Sequence, residues 1–153
     1  MARIEFHFNA PALVPYACRL LRKVHTRGLR AQVVGHATTL ALLDEALWTF
    51  SALDFLPHCG PQASPAVQQA SHVLLSEVPA GHWHRQVLIN LGEMAPEGID
   101  GFERIIDVVT VDELHRAQGR ERWRHYAQRG YPLTSHDLAA ATAPEQPSTA
   151  SAS

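Results

Sequence analysis

The sequence predicts an α/β domain, a three-layer arrangement in which a mostly parallel central sheet carries helices on both faces. Three observations predict it. The first fifty residues alternate strand, helix, strand, helix, and each period is set by its apolar residues. A second strand-to-helix unit closes the folded part between Arg104 and Gln128. Between them lie short apolar runs separated by Gly and Pro, which suit buried strands more than helices.

Arg3 to Phe8 places Ile4, Phe6 and Phe8 on one face of a first strand, and Asn9 to Pro11 turns the chain. Ala12 to Arg27 reads as a helix with Leu13, Tyr16, Ala17, Leu20, Leu21 and Val24 on its apolar side, stopped at Gly28. Arg30 to Val34 is a second strand. Thr38 to Thr49 is a helix capped by Thr38 or Thr39, with Leu42, Leu43, Ala46 and Leu47 turned inward. Phe55 to His58 is extended, since Pro57 biases Leu56 away from helix, and Cys59 to Pro65 reads as a loop. Val73 to Leu75 and Val87 to Leu91 are strands, and Arg104 to Val109 is expected to be the last one. A helix from about Val111 to Gln128 follows, with Gly119 inside it at a cost of roughly 1 kcal/mol against alanine. Residues 1–137 form the domain. Residues 138–153, small and Pro-rich with almost no apolar bulk, read as a disordered tail.

Composition narrows the function. A chain of 153 residues at 46% hydrophobic content suits one soluble domain. A net charge of -2 speaks against a general nucleic-acid coat. No secretory leader and no apolar run long enough for a membrane span is visible, and Cys18 and Cys59 make no disulfide scaffold. A reducing cytoplasm is therefore the expected location. The layout is Rossmann-like, but the turn after the first strand, Asn9-Ala10-Pro11-Ala12, contains no glycine, and no Walker A loop occurs. The sheet is expected to lack a phosphate cradle.

No chemistry-bearing motif stands out. The ten histidines match no closed Cys/His zinc pattern, so no metal and no cofactor is expected. Cys18 falls on the apolar side of the first helix, as a core thiol would. Asp107, within an apolar strand, is read first as a residue paired inside the fold. A small hydrolase or transferase using His58 and Asp107 remains the alternative from the enzyme class.

Binding is better supported. Arg116 to Leu133 carries five arginines, three large aromatics and one acid, in a chain that is mildly acidic overall. Arg116, Arg120, Trp123, Arg124 and Ala127 share one side of the helix. Guanidinium groups beside an indole suit an acidic, apolar peptide, or single-stranded nucleic acid contacted directly through Arg120, Trp123 and Arg124. Tyr126 projects differently. Val109, at the end of the preceding strand, offers an apolar floor. Trp48 and Phe55 form a second aromatic pair, either core or anchors for a protein partner.

Leu43 to Trp48 (LDEALW) with Phe55-Leu56-Pro57-His58, Gln86 to Leu91 (QVLINL), and the run from Ile106 through GRERWRHYAQRGYPL together resemble the chi subunit of bacterial DNA polymerase III holoenzyme, over most of residues 1–133. The resemblance implies a non-catalytic replisome accessory protein with two attachments. One is to the acidic C-terminal tail of single-stranded DNA-binding protein, through Val109, Arg120, Trp123, Arg124 and Tyr126. The other is to a psi-like subunit, and through it the clamp loader, by Trp48 and Phe55 with Pro57 and His58. Contact with DNA would be mainly indirect. Trp123 and Arg124 stand where the family more commonly has tyrosine and lysine.

Overall fold

The structure is a computed structural model and describes residues 2–49 and 56–141. Strands β1 (Arg3–Ala10), β2 (Ala31–Val34), β3 (His58–Cys59), β4 (Val73–Ser76), β5 (Val87–Asn90), β6 (Arg104–Thr110) and β7 (Leu133–Asp137) form one seven-stranded sheet. The order is β3-β4-β2-β5-β6-β1-β7, and every pairing in it is parallel. Strands β2, β4 and β5 are buried along their whole length, as expected of a parallel sheet covered on both sides.

Helices α1 (Leu13–Thr26) and α2 (Ala37–Thr49) pack together on one face. Ala17, Leu20, Leu21, Val24, Leu40, Leu43 and Leu47 meet Val33, Leu75, Ile89 and Ile106 there. Helix α4 (Glu113–Gln128) covers the other face, where Tyr126 packs against Ile4, Phe6, Leu88, Ile105 and Val109. The α/β layout with helices on both faces is thus as expected. Cys18 is buried in the α1 core.

Several boundaries differ from expectation. Arg104–Thr110 is not the last strand, because β7 follows α4 and pairs with β1, with Ile4 opposite Leu133 and His7 opposite His136. Its LTSHD sequence is mostly exposed, so it lacks the apolar signature of the interior strands. The Cys59–Pro65 region is not wholly loop: β3 ends it on one side, and α3 (Pro65–Ala70) starts at Pro65, capped by Ser64, whose side chain accepts from Val67 N. Helix α2 begins at Ala37, ahead of either threonine proposed as its cap, and the Leu40 amide bonds the His36 carbonyl. Its inward face is Leu40, Leu43 and Leu47, and Leu42, expected to turn inward, is exposed. The tail does not begin at 138, because Leu138–Ala141 form a short helix, α5, with Leu138 packed against the α1 core. The rest of the expected tail lies outside the described residues. No helix among the described residues is long and apolar enough to cross a membrane.

Candidate functional site

Helix α4 starts on a firm cap. Asp112 accepts from the His115 amide at 3.0 Å, and the Thr110 amide donates to the His115 ring at 2.8 Å. That ring is kept neutral because burial pushes its pKa down, with the Arg122 charge acting the same way. The inward face of α4 is Gly119, Arg122 and Tyr126, which is neither apolar nor bulky at every turn.

Arg122 is buried and points at Asp107, which is completely buried on β6. Its Nε and Nη2 donate to Asp107 Oδ1 at 2.9 and 2.8 Å, and Nη1 donates to the Glu93 carbonyl at 2.8 Å. Tyr126 Oη and Asn90 Nδ2 each donate to Asp107 Oδ2 at 3.1 Å. Burial, then the Asp107 charge, pushes the Tyr126 phenol far above its ordinary pKa, so it remains a donor. This network fixes the rotation of α4 about its axis. Removing one partner from such a buried pair typically costs about 3–5 kcal/mol, because the other charge is stranded. Asp107 is thereby saturated as a structural residue. Three strands also stand between its strand and β3, which carries His58, so the two cannot form one catalytic site.

Gly119 sets the depth of packing. A Cβ there would fall 2.8 Å from Cγ2 of Val109 and 3.1 Å from Cγ1, closer than side chains tolerate. Its absence lets α4 sit down on β6. Beside this contact a cleft of about 390 Å³ opens between α4 and the β1–β7 edge. Val109 and Phe6 form its floor, Trp123 one wall, and Arg116, Arg120 and Ser135 its rim. The Trp123 ring stands edge-on to Phe6 with centroids 5.0 Å apart, and the residue is 36% exposed. It is neither core nor a loose surface group but a half-buried wall. Arg116 is aimed by Asn9, whose Oδ1 accepts from Nη2 at 2.7 Å, while Asn9 Nδ2 donates to Asp137. Asn9 holds this place with φ +66, a left-handed backbone that asparagine tolerates well.

Of the five residues expected to contact a tail, Val109, Arg120 and Trp123 come together at this cleft. Arg124 lies one step outside it, exposed and paired with Glu121. Tyr126 does not reach the surface: it is fully buried beneath Phe6, with ring centroids 5.9 Å apart, and serves as support. Sequence reasoning missed Phe6, Asn9, Arg116's anchoring and Gly119's role. The signal for Gly119 was present, since a glycine inside a helix that must pack closely is an anomaly with a cost.

A larger cleft of about 630 Å³ lies on the other flank of α4. Glu93, Glu97, Asp100 and Glu121 are among its lining residues; against them stand Arg129 and Arg122, the latter already neutralised by Asp107. That charge pattern disfavours an acidic ligand.

At the far edge of the sheet, Trp48 ends α2 and is 60% exposed, which settles against a core role. Its ring lies 5.5 Å from that of His58 in edge-on geometry. The His58 side chain is itself covered: Nδ1 is 2.7 Å from the Leu56 carbonyl and Nε2 is 2.9 Å from Asp44 Oδ1. The Pro57 carbonyl accepts from the His72 and Val73 amides. His58 and Pro57 therefore shape this edge more than they face a partner, whereas Trp48 is presented outward. Phe55 lies outside the described residues.

A family model described as DNA polymerase III chi subunit, HolC, matches residues 1–134. DNA polymerase III subunit chi of Pseudomonas aeruginosa is 32% identical over 145 residues, covering 90% of this chain and 98% of the relative. The subunit of the same name from Haemophilus influenzae is 27% identical over 124 residues, covering 80% and 85%. The chain therefore belongs to the chi-subunit family of DNA polymerase III, whose members are non-catalytic accessory proteins of the replisome.

Proposed function

We propose that this chain is a replisome adaptor that holds the acidic, apolar C-terminal tail of single-stranded DNA-binding protein in the cleft between α4 and the β1–β7 edge. The observation that carries the reading is the pairing of a half-buried indole wall over an apolar floor with two rim guanidiniums. A terminal apolar side chain would enter between Trp123 and Val109, and the tail's carboxylates would meet Arg120 and Arg116. Arg124 would act at longer range, in competition with Glu121. A psi-like subunit would dock at the α2 end around Trp48 and Phe55, linking the complex to the clamp loader. Contact with DNA would be mainly indirect, and the protein would work in the cytoplasm at the nucleoid. The sheet would be a Rossmann-like layout whose first turn, Asn9 to Ala12, gave up the phosphate cradle for the Asn9 anchor. Direct binding of single-stranded nucleic acid is the weaker reading, because acidic residues on the opposite flank of α4 interrupt any basic track.

Calorimetric titration of a synthetic tail peptide tests this. Wild type should bind at micromolar order, Arg120→Glu and Trp123→Ala should bind at least tenfold more weakly, and added salt should weaken wild-type binding moderately. Equal affinity in all three proteins, with unchanged circular dichroism, would refute the site.

A further inference from the structure

The opposite face of the β1–β7 edge carries a second constellation that the tail site does not use. Glu5 and His7 on β1 and His136 on β7 bring three ligand atoms within 4.8 Å of one another. Glu5 Oε1 lies 3.5 Å from His7 Nε2 and 3.8 Å from His136 Nε2. His7 and His136 are direct cross-strand partners, so both rings leave the same side of the sheet. Glu5 and His7 are 9% and 8% exposed, whereas His136 is open to solvent. The second independent sign is at His7, whose Nε2 is buried with no hydrogen-bond partner and faces into the cluster.

We propose that Glu5, His7 and His136 form a binding site for a divalent transition metal of the zinc type, which fastens β7 to β1. Ligand bonds of about 2.0–2.1 Å at tetrahedral angles require donor atoms about 3.3 Å apart, so donors now up to 4.8 Å apart would have to draw in on binding. His7 Nδ1 is 2.5 Å from the Tyr16 hydroxyl. With Nδ1–H donating to that oxygen, Nε2 carries the lone pair that ligates, the outer-shell arrangement usual for metal-bound histidine. Glu5 is also bound by Arg104, at 2.8 and 2.9 Å. A carboxylate has about four lone-pair positions, so Oε1 retains one for a metal. The guanidinium charge opposes any cation there, which favours an ion that draws its affinity from imidazole nitrogen over a hard one such as magnesium. With His136 exposed, water could reach the ion and complete the shell.

A bound ion would stiffen β7, and Ser135, between Thr134 and His136, lines the cleft on the sheet's other face. That consequence rests on the tail reading, but the metal site does not.

Tag-free protein would be titrated with zinc by calorimetry and with cobalt(II) by visible absorption, comparing wild type with His136→Ala, a solvent-exposed substitution. Wild type should bind one equivalent that the variant lacks and develop cobalt d–d bands absent from the variant. Zinc should slow amide hydrogen exchange of β7 in wild type alone. Equal stoichiometry and affinity in the two proteins, or no binding by wild type, would overturn the site. Neither result depends on whether the tail peptide binds.

Discussion

Gly119 shows how a single residue sets the geometry of the cleft. Alanine there would gain about 1 kcal/mol of helix propensity, but its methyl would strike Val109, and overpacking of this kind costs about 1–3 kcal/mol. The clash outweighs the gain or cancels it, and α4 must lift from β6 either way. Gly119→Ala should therefore bind the tail peptide at least tenfold more weakly while losing no more than about 2 kcal/mol of stability. Adding Val109→Ala should restore the stability, measured by urea unfolding, without restoring affinity, because the floor is then gone. Full affinity in Gly119→Ala would detach the helix position from binding. Residues of this kind were half legible in the sequence. Asp107 stood out as a carboxylate in an apolar strand, but its partner Arg122 was hidden among four other arginines of the same segment. Nothing in spacing separates an arginine that turns inward from its solvated neighbours. The inward turn follows from the fully buried Asp107 carboxylate opposite, a tertiary fact.

Elements were legible in proportion to how much apolar surface each one buries. The strands β1, β2, β5 and β6 and the helices α1, α2 and α4 all announce themselves by periodicity. Helix α3 buries no residue completely, β3 has two residues, and β7 is an edge strand whose side chains stay polar, so none of them carries a period to read. Glu5 ties β1 to β6 and faces β7. Glu5 on β1 takes two hydrogen bonds from Arg104 on β6 and lies 3.8 Å from His136 on β7. Burial alone would raise the Glu5 pKa, but the nearby His7 ring and the hydrogen-bonded Arg104 guanidinium outweigh it and hold the carboxyl at about 2. In the unfolded chain it titrates near its ordinary value of about 4.3. Between those values the unfolded state binds the extra proton, so Glu5's contribution to stability is complete above about pH 5 and is lost as pH falls toward 2. Glu5→Gln should flatten that part of the curve: wild type loses stability between pH 5 and pH 3 by chemical denaturation, and the variant should lose distinctly less. Parallel curves for the two proteins would place the acid sensitivity elsewhere.

At the scale of the whole molecule, the two candidate surfaces occupy opposite ends of the sheet. The cleft lies at the β1–β7 edge on the α4 face, and Trp48 lies beside β3 on the face covered by α1 and α2. With adjacent strands about 4.8 Å apart, the seven-strand order separates the two edges by roughly 25–30 Å. Between them stands a close-packed parallel sheet with apolar cores on both sides, and no element among the described residues belongs to both surfaces. Such separation suits an adaptor, because two partners can be held at once without competing for area, and it predicts little energetic coupling. Trp48→Ala, at an exposed site, should shift thermal stability only slightly, leave tail-peptide affinity within about twofold of wild type, and abolish capture of a psi-like subunit. Trp123→Ala should do the reverse. In the doubly substituted protein the two losses should add to within about 0.5 kcal/mol in calorimetric titrations of each partner. A larger deviation would mean that the sheet transmits a change from one edge to the other, and the protein would then be a switch rather than a passive link.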